Sequence, residues 1–343
     1  MRTPQTAGWT RRRFLGGLTL AGTAGFLGLS PRPVAAEPPP ETTQLRLIKI
    51  PSTCVAPQFM SEELLLAEGF TEVQYLQKAG APPARLMASG EFDITASFLP
   101  LQIPLIDMGA PVLILAGSHV GCTELFAAPH IRSIRDLKGK TIAVFSKDPL
   151  AADRAFAAMF VASVGLRPDR DLHFVVHPWG EAGRLLAQGQ IDAFVAGPPE
   201  TLEFRAQKIG HVLVTNTVDR PWSQYFCCMV AGHREFVRRH PVATKRALRA
   251  ILKATQVCAL EPERVARFMV DKGYTTPDKY DYALASLKEL PYGQWREYDP
   301  EDAVRFYALR LHEIGMIKHT PQQIIAQGTD WRFLNELKKE LKG

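Results

Sequence analysis

The sequence has few cysteines, little excess charge outside its first segment and no long apolar run. Five cysteines in 343 residues are too few for a disulfide-rich scaffold. The formal net charge of +6 comes mostly from residues 1–36, which contain five arginines and no acidic residue. The remainder has 36 basic and 35 acidic residues, and such a balance does not form the basic patch that nucleic acid or an anionic membrane attracts. We therefore expect no nucleic-acid partner.

Residues 1–36 have the features of an export signal. Arg11-Arg12-Arg13-Phe14-Leu15 opens an uncharged, glycine-containing stretch over 14–30, and Val34-Ala35-Ala36 supplies small residues for cleavage. Consecutive arginines followed by x-Phe-Leu are the twin-arginine form, which predicts export of a folded protein to the periplasm. The apolar stretch is shorter than the ~20 residues that a spanning helix needs. We therefore expect cleavage near Ala36 and an extended leader over 37–43.

Strand and helix patterns alternate in two successive series. The first begins with the period-two pattern over 45–50, and its predicted helices end at Gly69, Gly90 and Gly109. The second series begins with a strand over 141–145, and the chain beyond Glu235 has helical patterns almost to its end. Strands separated by helices predict parallel pairing. The sequence thus predicts an α/β fold with two α/β halves and a helical C-terminal region.

Four short segments of this chain each contain a glycine at a predicted turn. They are Leu86–Ile94 (LMASGEFDI), Asp136–Val144 (DLKGKTIAV), Gly165–Leu172 (GLRPDRDL) and Leu186–Ala193 (LAQGQIDA). In sequence and spacing they resemble segments of the periplasmic solute-binding proteins of ABC importers. The resemblance is to the group that takes up nitrate, sulfonates, taurine and thiamine precursors. Judged from the residues alone, Asp93 after Gly90 and Asp192 after Gly189 are interpreted as residues that cap their turns.

The resemblance implies a two-lobed periplasmic binding protein of type II. Lobe 1 is expected over 44–120 and 232–343, lobe 2 over 129–224, and two crossing hinge strands over 121–128 and 225–231. It further implies a monomer without cofactor that captures a small-molecule solute between its lobes and delivers it to an ABC permease in the inner membrane. No catalytic residue is expected, since Gly117-Ser118-His119-Val120-Gly121 does not match the nucleophile motif G-x-S-x-G.

Candidate ligand-binding residues lie in the loops after predicted strands, because open α/β sheets bind ligands beyond the carboxyl ends of their strands. In lobe 1 the candidates are Ser52, Thr53, Cys54, Ser97, Phe98 and His119. In lobe 2 they are Ser146, Lys147, Glu200, Trp222 and Gln224. A helix beginning after Ser146 favours an anionic group. Lys147 is the one basic candidate, so a neutral pyrimidine-like ring stays open as an alternative to nitrate, taurine or a sulfonate.

The alternative hypothesis is a redox protein that binds a metal or cofactor through Cys54, His119 and Cys122, which are soft ligands. Twin-arginine export would suit such a protein, because it exports chains that are already folded. No C-x-x-C or H-E-x-x-H motif supports it. Cys227 and Cys228 are adjacent in a predicted strand, so their side chains should face opposite sides of the sheet and not share one site. We therefore expect no metal, and a Cys54–Cys122 disulfide stays open.

Overall fold

Ten β-strands carry the framework of the described part of this protein, and the first covers most of the period-two pattern of the sequence. The structure is a computed structural model that describes residues 37–50, 52–78, 83–148, 151–178 and 180–341. The predicted twin-arginine signal lies outside the described residues. The strands are β1 (Gln44–Ile48), β2 (Glu72–Leu76), β3 (Ile94–Phe98), β4 (Val112–Val120), β5 (Glu124–Ala127), β6 (Lys140–Val144), β7 (Leu172–Val176), β8 (Ala193–Ala196), β9 (His211–Thr215) and β10 (Phe226–His233).

The helices between the strands are short, and those after β10 follow one another without a strand. The helices are α1 (Ala56–Met60), α2 (Glu62–Ala67), α3 (Pro83–Ser89), α4 (Leu99–Asp107), α5 (Ala152–Ala162), α6 (Pro168–Asp171), α7 (Ala182–Ala187), α8 (Glu200–Ala206), α9 (Arg234–Arg239), α10 (Pro241–Leu260), α11 (Pro262–Asp271), α12 (Tyr280–Glu289), α13 (Pro300–Glu313), α14 (Pro321–Gly328) and α15 (Arg332–Glu340). Over the described ranges, no helix combines the length and apolarity that crossing a bilayer requires. The predicted helical C-terminal region is confirmed.

Three sheets divide the strands into two groups along the chain. β1 and β2 pair in parallel, and β10 lies between β3 and β4 in an antiparallel sheet of three strands. The third sheet has the order β7-β6-β8-β5-β9, in which β6 is parallel to both of its neighbours. We call the first two sheets and the helices on them the N-side group, and the five-stranded sheet with its helices the middle group.

An aspartate in each group braces the start of one strand against its neighbour in the same way. The amide of Asp93 donates to the Arg46 carbonyl (2.9 Å), and the Arg46 amide donates to the Asp93 carboxylate (2.8 Å). In the middle group the amide of Asp192 donates to the Thr141 carbonyl, and the Thr141 amide donates back to the Asp192 carboxylate, both at 2.9 Å. These are the acids after the two glycine turns of the sequence. Their role is structural, as the sequence predicted, although they cap a neighbouring strand rather than their own turn.

The segment before β1 is attached to the C-terminal helices. The Glu41 carboxylate accepts from the backbone amides of Val242 (3.0 Å) and Ala243 (2.9 Å) in the first turn of α10. Such amides have no partner within their own helix, and the helix dipole favours a negative charge there. The predicted leader is therefore anchored to α10 through the side chain of Glu41.

Candidate functional site

A cavity of about 410 Å³ lies between the N-side group and the middle group. Part of its wall comes from residues at or just after the carboxyl ends of four strands, of which β1, β6 and β8 have parallel neighbours and β3 pairs antiparallel with β10. Ser52 follows β1, Phe98 ends β3, Ser146 follows β6 and Gly197 follows β8. The lining residues are Ile50, Ser52, Pro83, Ala84, Phe98, Leu101, Thr123, Phe145, Ser146, Asp148, Ala151, Ala152, Asp153, Phe156, Val195, Ala196, Gly197 and Pro198.

The lining is mainly apolar, and none of its described members is basic. Phe98 from the N-side group meets Phe156 on α5 edge to face, with ring centroids 6.2 Å apart. Burial raises the pKa of the Asp153 carboxyl, although the Phe145 amide donates to it at 2.7 Å and opposes the rise. A wall with carboxylates and aromatic rings favours a neutral or cationic ring over an anion.

Two hydrogen bonds join the groups across one side of the cavity. The Ser52 hydroxyl donates to the Pro198 carbonyl at 2.8 Å, and the Thr53 amide donates to the same oxygen at 3.3 Å. Ser52 comes from the segment after β1, and Pro198 from the segment after β8. The cavity is therefore bounded by a direct contact between the two groups.

The structure places Ser52, Phe98 and Ser146, among the predicted ligand-binding residues, on the cavity wall. Lys147 and Gln224 are exposed and do not line it. The cavity also includes residues that the sequence analysis left out, among them Phe156. Phe156 lies one helical turn beyond Asp153 near the start of α5, and this i, i+3 spacing after a strand-to-helix loop was the available signal.

Four more of the predicted residues do not line the cavity, and neither do Cys54 and His119, which are described below. Ser97 is fully buried, and the Gln102 amide donates to its hydroxyl at 2.9 Å. Thr53 is buried, and its carbonyl accepts from Tyr292 at 2.6 Å. The two remaining residues are Glu200, which pairs with Lys279 at 2.9 Å, and Trp222, which packs edge-on against Phe160.

Beside the cavity lies a buried cluster of soft side chains that we call the thiol cluster. It consists of Cys54, His119, Cys122 and Cys228, whose ligand-type atoms all lie within 4.8 Å of one another. All five cysteines of the chain are free thiols and buried. The structure therefore unites the three residues of the alternative sequence hypothesis and adds a fourth.

The prediction that Cys227 and Cys228 serve different faces of their strand is wrong. The sulfur of Cys122 lies 3.2 Å from that of Cys227 and 3.8 Å from that of Cys228. The ladder between β10 and β4 shifts register on both sides of Cys228, first between Phe226 and Cys228 and then between Cys228 and Met229. Such bulges re-aim side chains, so strict alternation along the strand fails at this position.

Burial and neighbouring side chains act in opposite directions on the pKa values of the thiol cluster. Burial alone would raise the pKa of Cys54, but hydrogen bonds from Cys122, Cys228 and His119 lower it below the usual range of a thiol. Burial alone would lower the pKa of His119, and its hydrogen bond and attraction to Cys54 raise it. Cys258 on α10 has no such neighbours, and burial raises its pKa.

Comparisons with known proteins agree with this architecture. The periplasmic nitrate-binding protein NrtA from Synechocystis PCC 6803 aligns with a TM-score of 0.72 and 16% identity, over 89% of this chain and 90% of that chain. The periplasmic aliphatic sulphonate binding protein SsuA from Escherichia coli aligns with a TM-score of 0.65 and 14% identity, over 82% and 91%. The predicted α/β fold of a periplasmic binding protein is therefore confirmed.

Sequence comparison gives a partial match to a longer protein and a fuller match to a family. The nitrate import ATP-binding protein NrtC from Synechocystis sp. is 22% identical over 164 residues, which are 46% of this chain and 24% of that protein. The chain thus spans about a quarter of the length of that curated relative. The model of the NMT1-like family matches residues 38–269. This protein belongs to the NMT1-like family.

Proposed function

We propose that this protein is the solute-binding component of an ABC importer and captures its solute in the cavity between the N-side and middle groups. The cavity itself carries this proposal. It receives residues from the carboxyl ends of strands in both groups and has a volume of about 410 Å³, within the usual range for small-molecule sites. The solved neighbours whose names record nitrate and sulphonate binding share the fold. The proposal includes no chemical step.

The solute is a small organic ring that is neutral or cationic. Phe98 and Phe156 offer aromatic edges and faces, and Ser52 and Ser146 place hydroxyl groups beside them. A nitrate or sulfonate group bound here would meet the carboxylate of Asp153 without a basic side chain among the described lining residues. Uncompensated burial of like charges is costly. Pyrimidine-like compounds therefore fit this wall better than nitrate or a sulfonate, which the family resemblance also suggests.

Capture is proposed to occur in the periplasm, by closure of two lobes over the solute. The twin-arginine pattern of residues 11–15 and the periplasmic neighbours support this location. We propose that the two groups act as the lobes and that the bonds from Ser52 and Thr53 to Pro198 hold them in the closed arrangement. The closed form then delivers the solute, as a monomer, to an inner-membrane permease.

A thermal-shift screen of the purified chain tests the proposal. The panel contains pyrimidines, aromatic amines, aromatic acids, taurine and nitrate. A solute present at about 100 times its Kd stabilises the folded state by about 2.7 kcal/mol, and we expect such a shift for a neutral or cationic ring. A shift with nitrate or taurine alone would contradict the proposed solute class, and no shift across an extended solute panel would contradict the receptor function.

A cavity-filling variant then locates the binding site. Ala152 lines the cavity in the first turn of α5 and is only partly buried, so Ala152→Trp should block the solute while the fold persists. Ala206→Trp, at an exposed position of α8, is the matched control and should bind normally. Isothermal titration should show at least a tenfold loss of affinity for the first variant. Equal affinities of the two variants would place the solute elsewhere.

A further inference from the structure

The thiol cluster has the dimensions of a mononuclear metal site. Zinc binds sulfur at about 2.3 Å and imidazole nitrogen at about 2.0 Å in a tetrahedron, which sets its ligand atoms about 3.5–3.8 Å apart. The ligand atoms of Cys54, His119, Cys122 and Cys228 lie within 4.8 Å of one another. A contraction of about 1 Å or less would complete the tetrahedron, which side-chain rotations can supply. A four-iron cluster would insert a cube of iron and sulfide and hold the ligands farther apart.

The backbone converges on the cluster from three separate parts of the chain. Cys54 follows β1, His119 and Cys122 flank the end of β4, and Cys228 lies in β10. Cys122 has a φ of 117°, a conformation that a residue with a side chain seldom adopts and that surrounding structure must hold in place. The register shifts beside Cys228 add a second departure from regular geometry. Both departures bring a sulfur toward the same point.

In the neutral form, which metal binding requires, His119 has one ring nitrogen that faces a carbonyl oxygen without an N–H to donate to it. One nitrogen lies 3.0 Å from the Val120 carbonyl oxygen, and the other lies 2.8 Å from the Cys54 carbonyl oxygen. A neutral imidazole has a single N–H and can donate to only one of them. The ring is 1% exposed, so water does not resolve the conflict. Metal-ligating histidines donate their other N–H to a group such as a backbone carbonyl, and His119 is placed to do so.

We propose that Cys54, His119, Cys122 and Cys228 bind one zinc ion as a Cys₃His site. The three thiols lose their protons to solvent as the ion enters, and the imidazole binds in its neutral form. Cys227 stays outside the ligand set. Its sulfur accepts from the Asn216 side-chain amide at 3.5 Å and lies 3.2 Å from the sulfur of Cys122.

The site lies in the N-side group beside the solute cavity, where the chain leaves β4 for the middle group. Ser52 lines the cavity two residues before Cys54, and Thr123 lines it directly after Cys122. A bound ion would tie the segment after β1 to the connection between β4 and β5. The twin-arginine pattern suits such a site, because a protein exported in the folded state acquires its ion in the reducing cytoplasm before the thiols meet an oxidising compartment. This role differs from the redox function considered from the sequence, because zinc does not change its oxidation state.

Metal analysis of the full chain, purified under reducing and anaerobic conditions, tests the site. We expect one zinc per chain, removable by a strong chelator and restored by added zinc. Cys54→Ser and Cys228→Ser should each weaken zinc binding by more than about 100-fold, the upper end of the losses seen for outer residues of metal sites. Cys258→Ser is the matched control, because Cys258 is equally buried but lies outside the cluster, and it should bind zinc as the wild type does.

Cobalt substitution of the wild-type chain keeps the test valid if a cysteine variant fails to fold. Cobalt in a Cys₃His tetrahedron gives thiolate charge-transfer bands in the near ultraviolet and strong visible ligand-field absorption. Solute binding is measured separately, so failure of the metal proposal leaves the receptor proposal standing. Zinc-free reduced protein that takes up neither metal would overturn the proposal, as would preferential copper(I) binding, iron with acid-labile sulfide, or a Cys122–Cys227 disulfide in protein prepared with zinc.

Discussion

Replacing Gly121 by alanine should destabilise the fold more than an equivalent replacement elsewhere. Gly121 follows β4 with a φ of +72°, and a Cβ added there would lie 2.5 Å from the Cα of Thr217. Gly139 precedes β6 with a φ of +73°, and a Cβ added there would meet nothing within 4 Å. The two glycines therefore share the conformational cost of alanine in the left-handed region but differ in steric room.

The expected magnitudes follow from these two terms. The left-handed conformation costs an alanine about 1–2 kcal/mol, which is the whole effect expected for Gly139→Ala. Overpacking against a backbone adds about 1–3 kcal/mol, so Gly121→Ala should lower the free energy of unfolding by about 2–5 kcal/mol. The clash involves a backbone carbon, which cannot rotate away as a side chain would. Backbone movement at this turn would also displace Cys122, the next residue in the chain.

Urea unfolding followed by circular dichroism, with calorimetry of the same samples, measures both variants. Gly121→Ala should have the lower midpoint, and the gap between the variants should correspond to about 1–3 kcal/mol. Equal destabilisation of the two variants would refute the close approach of Gly121 to Thr217. A changed slope of the unfolding transition would instead indicate an altered denatured state or a loss of two-state behaviour, and the calorimetric enthalpy separates these cases.

Three further predictions concern side chains whose partners are defined. Burial opposes ionisation of Asp107, but its carboxylate accepts from the His319 amide (2.7 Å), the His319 ring (2.9 Å) and the Lys318 amide (3.0 Å), and together these bonds lower its pKa. Because the folded-state pKa is depressed, its contribution is present above the unfolded value of about 3.9 and is lost as the pH falls through the folded value. The stability advantage over Asp107→Asn should therefore shrink in acid-range unfolding curves, and a constant advantage would contradict this. Gln102→Leu should lower the free energy of unfolding by about 2–4 kcal/mol in chemical denaturation, because the buried amide donates to the Ser97 hydroxyl and to the Met229 carbonyl (2.9 and 2.8 Å). A loss smaller than that of the exposed control Gln207→Leu would refute this prediction. Glu200→Gln should leave solute affinity unchanged in calorimetric titration, since Glu200 pairs with Lys279 away from the cavity lining, and a large loss of affinity would assign it to the site.

The sequence predicts the framework well because the framework depends on local patterns. The alternating residues of β1 and the glycine turn before Asp93 specify their strands by periodicity and turn chemistry, and both strands are present, with bounds that differ from the predicted ones by one or two residues. The position of Ser97 depends instead on burial. It occupies a loop-like place after an apolar run, yet β3 extends through Phe98 and Gln102 covers its hydroxyl. Tertiary pairing, which a single sequence does not display, decides such cases.

The thiol cluster shows the same limit for the candidate sites. Cys54, His119 and Cys122 are recognisable from their chemistry, and the sheet order brings them together. Cys228 joins them only because the ladder shifts register beside it. A bulge changes which face a side chain occupies without leaving a distinct sequence signal when neither glycine nor proline marks it. The rule that successive side chains of a strand face opposite sides therefore fails at Cys228, where β10 contributes to the candidate site.

The hydrogen bonds from Ser52 and Thr53 to the Pro198 carbonyl have a kinetic consequence. Separating the N-side and middle groups breaks both bonds at once, since they share one acceptor. The rate of that separation sets an upper limit on how fast any solute can leave, whatever its contacts with the cavity wall. Weak solutes of different chemistry should then dissociate with a common maximal rate, and only tighter ones should leave more slowly. Under the proposed function, the Pro198 carbonyl and its two donors would contribute to the barrier for release together with the contact between Phe98 and Phe156.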